Sequence, residues 1–458
     1  MKVWFKRKRN FKYEILAVSV LLIISWIFFY GWGQWNMFLF VAWVLGLYMA
    51  INIWSNDVAN NMWPAVWAKA ITITWAIIIA AIFEASGVMI AWWDVVNTIK
   101  KWIIDPELIE NSTQFIAIMM ATLAWAALWV NIATYFRAPV STTHSIVGWL
   151  VWAWITAVWV NIVDWGQIGL IAASWVISPL MWWLISVLLI LSIRKNILKK
   201  DERWEAAKVW VPVYVWFMIW AFSTYLLLKW LKRILKGSDY WYLLNPEIAV
   251  FVWYVLAVIT FIVLRVYYKK QSAIFKNSKS FINELFNVPL IFSVALLSFA
   301  HWANDVANAI WPLAAVNDAI QNHWISWWNV WIKTWIMLIW AAWLVLGLSV
   351  FGARLIKTVW TEITKLNQIR AFCVALWAAI TVIIASQLWL PVSSTHIALG
   401  WVFWVWLLRQ HIKRRNWKTK DYIEKSMIKN IVLAWVITLP VSWWIAWLTY
   451  LLIMKISY

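Results

Sequence analysis

The chain has 458 residues, of which 65% are hydrophobic and only 13% charged. Its apolar runs repeatedly reach the roughly 20 residues a helix needs to cross a bilayer, which excludes a water-soluble fold. Short alternating strands of the kind a barrel requires are missing. Backbone groups must therefore satisfy themselves within helices, and the reading is an all-α integral membrane protein, a polytopic helical bundle.

The net charge is +20. In a soluble protein that excess would suggest nucleic acid, but here the lysines and arginines fall in short stretches between apolar segments, the signature of cytoplasmic loops. No nucleic-acid partner is expected. The one cysteine, Cys373, allows no internal disulfide and sits in no metal or redox motif.

In chain order, the basic segment MKVWFKRKRNFK precedes an apolar stretch without a small-residue cleavage site. It reads as an uncleaved first helix with its basic end inside. Spans are predicted at 14–30, 36–55, 65–92, 113–133, 145–163, 167–193, 208–228, 247–267, 286–308, 330–351, 371–390, 395–410 and 429–453. Counting from a cytoplasmic N-terminus, the acidic stretch 105–110 and Asp164 fall outside, and the basic stretches 194–203, 265–279, 354–365 and 409–420 fall inside. The basic stretch 229–236 is the exception, since it is placed outside. Thirteen crossings would leave the C-terminus external.

The chain repeats itself. Residues 54–64, WSNDVANNMWP, match residues 302–312, WANDVANAIWP, at eight of eleven positions. A second pair follows, PVSTTHSIVGWLVWAW at 139–154 and PVSSTHIALGWVFWVW at 391–406. The offsets are 248 and 252 residues, so two halves carry the same two motifs in the same order. This divides the chain into a basic tail and extra helix (1–35), a first repeat (36–193), a connecting segment with two helices (194–284) and a second repeat (285–458). In the predicted topology the first Asn-Asp motif ends a helix running inward and its copy ends one running outward. The repeats would then be inverted, with broken or re-entrant helices and a substrate site near the midplane.

Asn56, Asp57 and Asn60, like Asn304, Asp305 and Asn308, bring a carboxylate and amides to membrane depth, where burying a charge is costly unless it is matched. Hard cations want such oxygens, and Pro64 and Pro312 are expected to break their helices and free carbonyls nearby. Ser141, Thr142 and Thr143, with Ser393, Ser394 and Thr395, follow a proline and precede an apolar helix. Hydroxyls at a helix N-terminus suit an oxyanion. Cation acceptors beside anion donors are what co-transport requires. Taken singly, a cap can be only a cap and an Asn only helix glue; the duplication favours the functional reading. His144 and His396 are possible supporting residues, orienting the hydroxyls or serving as buried structural histidines. Glu84 is a further candidate cation or proton ligand, with a helix–helix hydrogen bond as its alternative.

These motifs resemble those of the inorganic phosphate transporter (PiT) family, marked by a duplicated GANDVANA-like segment and a duplicated PVSTTH segment. The resemblance covers roughly residues 40–190 and 285–453. It implies symport of inorganic phosphate with sodium or a proton, no other cofactor, a homodimer in the cell's inner membrane, and no enzyme activity. By position, Asn56, Asp57, Asn304 and Asp305 are implied to be cation ligands. Ser141, Thr142, Thr143, Ser393, Ser394, Thr395, Asn60 and Asn308 are implied to hold phosphate. The Asn-Asp form is similar to sodium-coupled members. A permease for another oxyanion, such as sulfate, and an intramembrane enzyme acting on a lipid phosphate through His144 and His396 are the competing readings.

The departures from the family pattern are of one kind. Trp54, Trp63, Trp149, Trp152, Trp302, Trp311, Trp401 and Trp404 stand where the family has glycine. The chain holds 49 Trp against 11 Gly, whereas an ordinary chain has about 7% Gly and membrane helices more. UGA codons read as glycine in the source bacterium, and rendered as tryptophan, would account for this. Trp175 and Trp435 are similar to genuine family tryptophans.

Overall fold

The computed structural model describes residues 36–91, 112–135, 140–226, 246–270, 278–322 and 366–387, with isolated positions that include 392, 393, 395–397 and 400. The predicted spans 14–30 and 429–453, most of 330–351 and 395–410, and the loops at 105–110, 229–236, 354–365 and 409–420 lie outside the described residues.

The described chain is helical. Its elements are α1 (Met37–Trp67), α2 (Ile73–Ala91), α3 (Ser112–Tyr135), α4 (Thr142–Ala157), α5 (Trp165–Ile193), α6 (Arg203–Leu226), α7 (Pro246–Lys270), the short α8 (Lys279–Glu284), α9 (Asn287–Asn322) and α10 (Gln368–Gln387). Among the described residues, five helices are long and apolar enough to cross a membrane by length and composition. Helix starts follow from side-chain caps. The Asn36 side chain accepts from Phe38 and Leu39, Asp164 from Gln167, and Ser141 from His144.

Two helices are longer than their sequence suggested. α1 runs 31 residues and α9 runs 36, with Pro64 and Pro312 inside them. At 1.5 Å per residue these are roughly 46 and 54 Å, beyond the ~30 Å hydrocarbon layer. The expected breaks at the two prolines are therefore absent, and Asp57 and Asp305 lie within continuous helices rather than at their ends. Pro64 falls in the last turn of α1, where little helix remains to be disturbed. Proline has no N–H, so the backbone carbonyls of Asn60 and Asn308, four residues earlier, still lose their helical donors. One expected feature of the broken arrangement survives elsewhere: α4 has only 16 residues and starts at a buried Ser141.

α9 is the hub, packed against α10, α2, α1 and α3. Two apolar clusters flank the polar stripe on α1 and α9. One joins Leu39 to Ile53 of α1 with Trp302 to Ala319 of α9, and the other joins Val58 to Ala65 of α1 with Leu290 to Ala300 of α9. The first half of α1 thus packs with the second half of α9 and the converse, so the two helices run antiparallel. Local contacts agree: Gly46 faces Leu313, and fifteen residues on, Asn61 faces His301.

Candidate functional site

On α9, His301, Asn304, Asp305 and Asn308 fall at i, i+3, i+4 and i+7, and on α1 Asp57, Asn60 and Asn61 fall at i, i+3 and i+4. That spacing puts each set on one helix face. The antiparallel crossing brings the faces together, and the segments opening at Val140 and Val392 fill the gap between them. Every one of these side chains is buried: Asp57, Asp305, His301, Glu84, Thr143 and Thr395 are 0% exposed.

The two carboxylates share their partners. Thr142 Oγ1 lies 3.1 Å from Asp57 Oδ2 and 3.3 Å from Asp305 Oδ2. A hydroxyl has one proton, so it can donate to only one of them at a time. Asp57 also accepts from Asn60 Nδ2 at 3.0 Å and lies 3.3 Å from Thr395 Oγ1, whose one proton it shares with the Val140 carbonyl, while Asp305 accepts from Asn304 Nδ2 at 2.9 Å. Two unit charges about 5 Å apart repel by about 3 kcal/mol even at an effective dielectric near 20. Such a pair calls for positive charge between its members.

Contacts across the repeats come in exchanged pairs. Asn60 Nδ2 donates to Thr395 Oγ1 at 3.2 Å, and Asn308 Nδ2 donates to Thr143 Oγ1 at 3.3 Å. Thr143 Oγ1 donates to the Val392 carbonyl, and Thr395 Oγ1 to the Val140 carbonyl, both at 3.2 Å. Exchange of this kind is what a two-fold relation between the halves produces. Ser141 and Ser393 are matching caps, accepting from the amides of His144 at 3.0 Å and His396 at 3.1 Å. Each hydroxyl keeps its own proton to donate. The His144 and His396 ring centroids lie 4.2 Å apart with the rings tilted by 50°, and His144 and Trp175 meet at 83° with centroids 3.5 Å apart.

Asn304 Oδ1 is buried without a donor, beside Asp305 and with its Nδ2 also tied to the Val392 carbonyl at 3.0 Å. A buried acceptor left bare next to carboxylates fits a cation ligand. Of the predicted residues, Asp57, Asn60, Asn304, Asp305, Asn308, Ser141, Thr142, Thr143, Ser393 and Thr395 are brought together here, with His144 and His396 alongside. Ser394 and the side chain of Asn56 lie outside the described residues.

Two residues escaped the sequence reading. His301 Nε2 lies 2.9 Å from Asp305 Oδ2 and 3.9 Å from Asp57 Oδ2, and these three side chains offer ligand atoms within 4.8 Å of one another. Asn61 Nδ2 lies 3.1 Å from His301 Nδ1 and 3.2 Å from Glu84 Oε1, which joins Glu84 to the pocket. The signal for His301 was its place one helical turn before Asp305. For Asn61 it was the extra amide where the second copy has Ala309.

Residues 54–446, which hold all of these groups, match the phosphate transporter family. The chain belongs to that family. A Helicobacter pylori protein (strain ATCC 700392 / 26695) that carries a phosphate permease name is 47% identical over 397 residues, covering 84% of this chain and 72% of that protein. The chloroplastic inorganic phosphate transporter 2-1 of Arabidopsis thaliana is 29% identical over 415 residues, covering 87% of this chain and 69% of the relative. A solved structure named "The sodium-dependent phosphate transporter" superposes with a TM-score of 0.82 at 30% identity, covering 92% of this chain and 100% of that one. This phosphate transporter is accordingly a membrane transport protein and not an enzyme. The intramembrane-enzyme reading of His144 and His396 falls with it.

Proposed function

We propose that the protein imports inorganic phosphate by symport with a cation, with sodium favoured over the proton. The observation that carries this reading is the buried Asp57–Asp305 pair, bridged by Thr142 and flanked by the bare Asn304 Oδ1. Two carboxylates and an amide oxygen attract cations, and the Ser141 and Ser393 hydroxyls at two helix starts attract an oxyanion. Burial of phosphate becomes tolerable only when cations offset its charge, so the two solutes move together. Likeness to a structure named as sodium-dependent favours sodium, as does the Asn-Asp form of both motifs.

Residues 36–193 and 285–458 serve as inverted repeats in this reading, joined by 194–284. Support comes from the antiparallel run of α1 and α9 and from the exchanged hydrogen bonds. If both helices span the bilayer, the two-fold axis lies in its plane, and rocking of one half against the other exposes the pocket to alternate sides. The protein sits in the inner membrane as a homodimer with a cytoplasmic N-terminus and an external C-terminus. Co-uptake tests the coupling. Labelled sodium should enter proteoliposomes together with phosphate and not with sulfate; sodium entry that ignores phosphate would count against symport.

A further inference from the structure

Glu84, Asn61 and His301 have no counterparts in the other repeat. Ile53 and Ala309 stand 248 residues from His301 and Asn61, and Ile332 and Ile336 stand at the two repeat offsets from Glu84. The duplicated pocket therefore carries a single-copy polar extension on one side only, running from Asp305 through His301 and Asn61 to Glu84.

That extension is rich in acceptors. Asn61 spends its Nδ2 on Glu84 Oε1 and His301 Nδ1, which leaves Asn61 Oδ1 buried without a donor. The amide is assigned this way round because turning it over would set its oxygen against the Glu84 carboxylate. Glu84 Oε2 is likewise buried without a hydrogen bond of good geometry, the nearby indole of Trp302 being the donor on that side. Asn61 is 1% exposed and Glu84 0%. No ion pair to Glu84 occurs among the described residues. Because Asn61 Nδ2 is a donor, His301 Nδ1 accepts and His301 Nε2 carries the hydrogen that points at Asp305. His301 thus ties the extension to the pocket without filling the need for a donor at Glu84 Oε2.

We propose that Glu84 Oε2 and Asn61 Oδ1 form a separate cation position, present once, beside the two-fold pocket, and that His301 links its occupancy to Asp305. Bare carboxylate and amide oxygens select a hard cation, with sodium the one to probe. This rests on the cation-coupled reading above and deepens it: one more positive charge travels per phosphate than the duplicated pocket holds.

Equilibrium binding of labelled sodium to the purified full-length protein, with the sodium-to-phosphate ratio of uptake, tests this. Glu84→Gln should bind one sodium fewer than the parent, with the uptake ratio lower by one, and Asn61→Ala should weaken that one sodium tenfold or more. Glu84→Asp, which keeps the carboxylate, should retain the full count at lower affinity and so guards against a Gln variant that misfolds. A full sodium count and unchanged ratio in Glu84→Gln would overturn the proposal, as would loss of the site in Glu84→Asp. Absence of sodium binding by the parent protein would bring down the coupled reading with it. Sodium binding by the parent that Glu84→Gln leaves intact sinks only the extra position.

Trp159 supports a second inference on independent grounds. Its backbone sits at φ 126° and ψ 170°, a region open essentially to glycine alone. The indole N–H groups of Trp125, Trp149, Trp311, Trp340 and Trp377 are buried with no hydrogen-bond acceptor, although a buried tryptophan ordinarily finds one. Trp63, Trp149, Trp154, Trp302 and Trp311 are among the largest fully buried side chains, whereas tryptophan in membrane proteins gathers at the lipid–water interface. We infer that most of the 49 tryptophans, Trp159 first among them, are glycines in the protein the cell makes, through UGA codons read as glycine. Peptide mass spectrometry of the protein from its own host, with the codons at Trp63, Trp159, Trp302 and Trp311, decides it. Glycine-bearing peptides over UGA codons are expected. UGG codons or tryptophan-bearing peptides at these positions would overturn the inference.

Discussion

Thr143 and Thr395 each donate a hydrogen bond to the carbonyl that opens the other's motif, Thr143 to Val392 and Thr395 to Val140, both at 3.2 Å. The two helix starts are latched to each other at the point where both motif helices cross. Each latch also receives an asparagine amide from the opposite motif helix, Asn308 on Thr143 and Asn60 on Thr395.

Replacing either threonine by valine keeps the shape and removes the hydroxyl. Thr143→Val and Thr395→Val should each lower stability by about 1 kcal/mol, with Thr395→Val the more costly because its hydroxyl also lies 3.3 Å from Asp57 Oδ1. Thermal unfolding in detergent reads this out. A large effect at one threonine and none at the other would contradict the two-fold reading of the pocket.

Asn304→Ala removes a buried amide oxygen beside Asp305 that has no donor. The sodium concentration for half-maximal phosphate uptake should rise roughly tenfold, equivalent to about 1.4 kcal/mol. Phosphate affinity at saturating sodium should move less. Equal losses for both solutes would place Asn304 in structural support instead.

Asp57→Asn and Asp305→Asn should each lower gradient-driven accumulation about 100-fold, since losing one partner of a buried charge assembly costs roughly 3 kcal/mol or more. The two need not be equal. Asp57 holds three side-chain partners at 3.0 to 3.3 Å, and Asp305 is held by His301 and Asn304 at 2.9 Å. Uptake in either variant that still runs against a phosphate gradient would be the contrary result.

Trp63→Gly and Trp311→Gly offer an inverted expectation. Emptying a buried aromatic site ordinarily costs about 3–5 kcal/mol. Here the glycine forms, together with glycine at Trp149 and Trp159, should give higher yield and a higher unfolding temperature than the tryptophan forms. Lower stability in the combined glycine variant would show that the indoles are native packing.

The helices were legible where hydrophobic length and caps set them. α3 and α5 lie within two residues of their predicted bounds, and Ser141 caps α4 as its position after Pro139 suggested. The prolines misled, because proline in a helix removes one donor without ending the helix when tertiary packing holds both sides. α1 and α9 are held by apolar clusters at each end of the polar stripe. The duplicated residues of the site were legible through their repetition. His301 and Asn61 were not, since each belongs to one copy alone and has no partner in the other to mark it.

Phosphate uptake by proteoliposomes, with sodium and proton gradients imposed one at a time, tests the central claim most directly. An inward sodium gradient should drive accumulation of labelled phosphate, and its collapse should stop it, while a proton gradient alone drives little. Phosphate entry at the same rate with neither gradient would mean a passive pore, and the paired carboxylates would need another explanation.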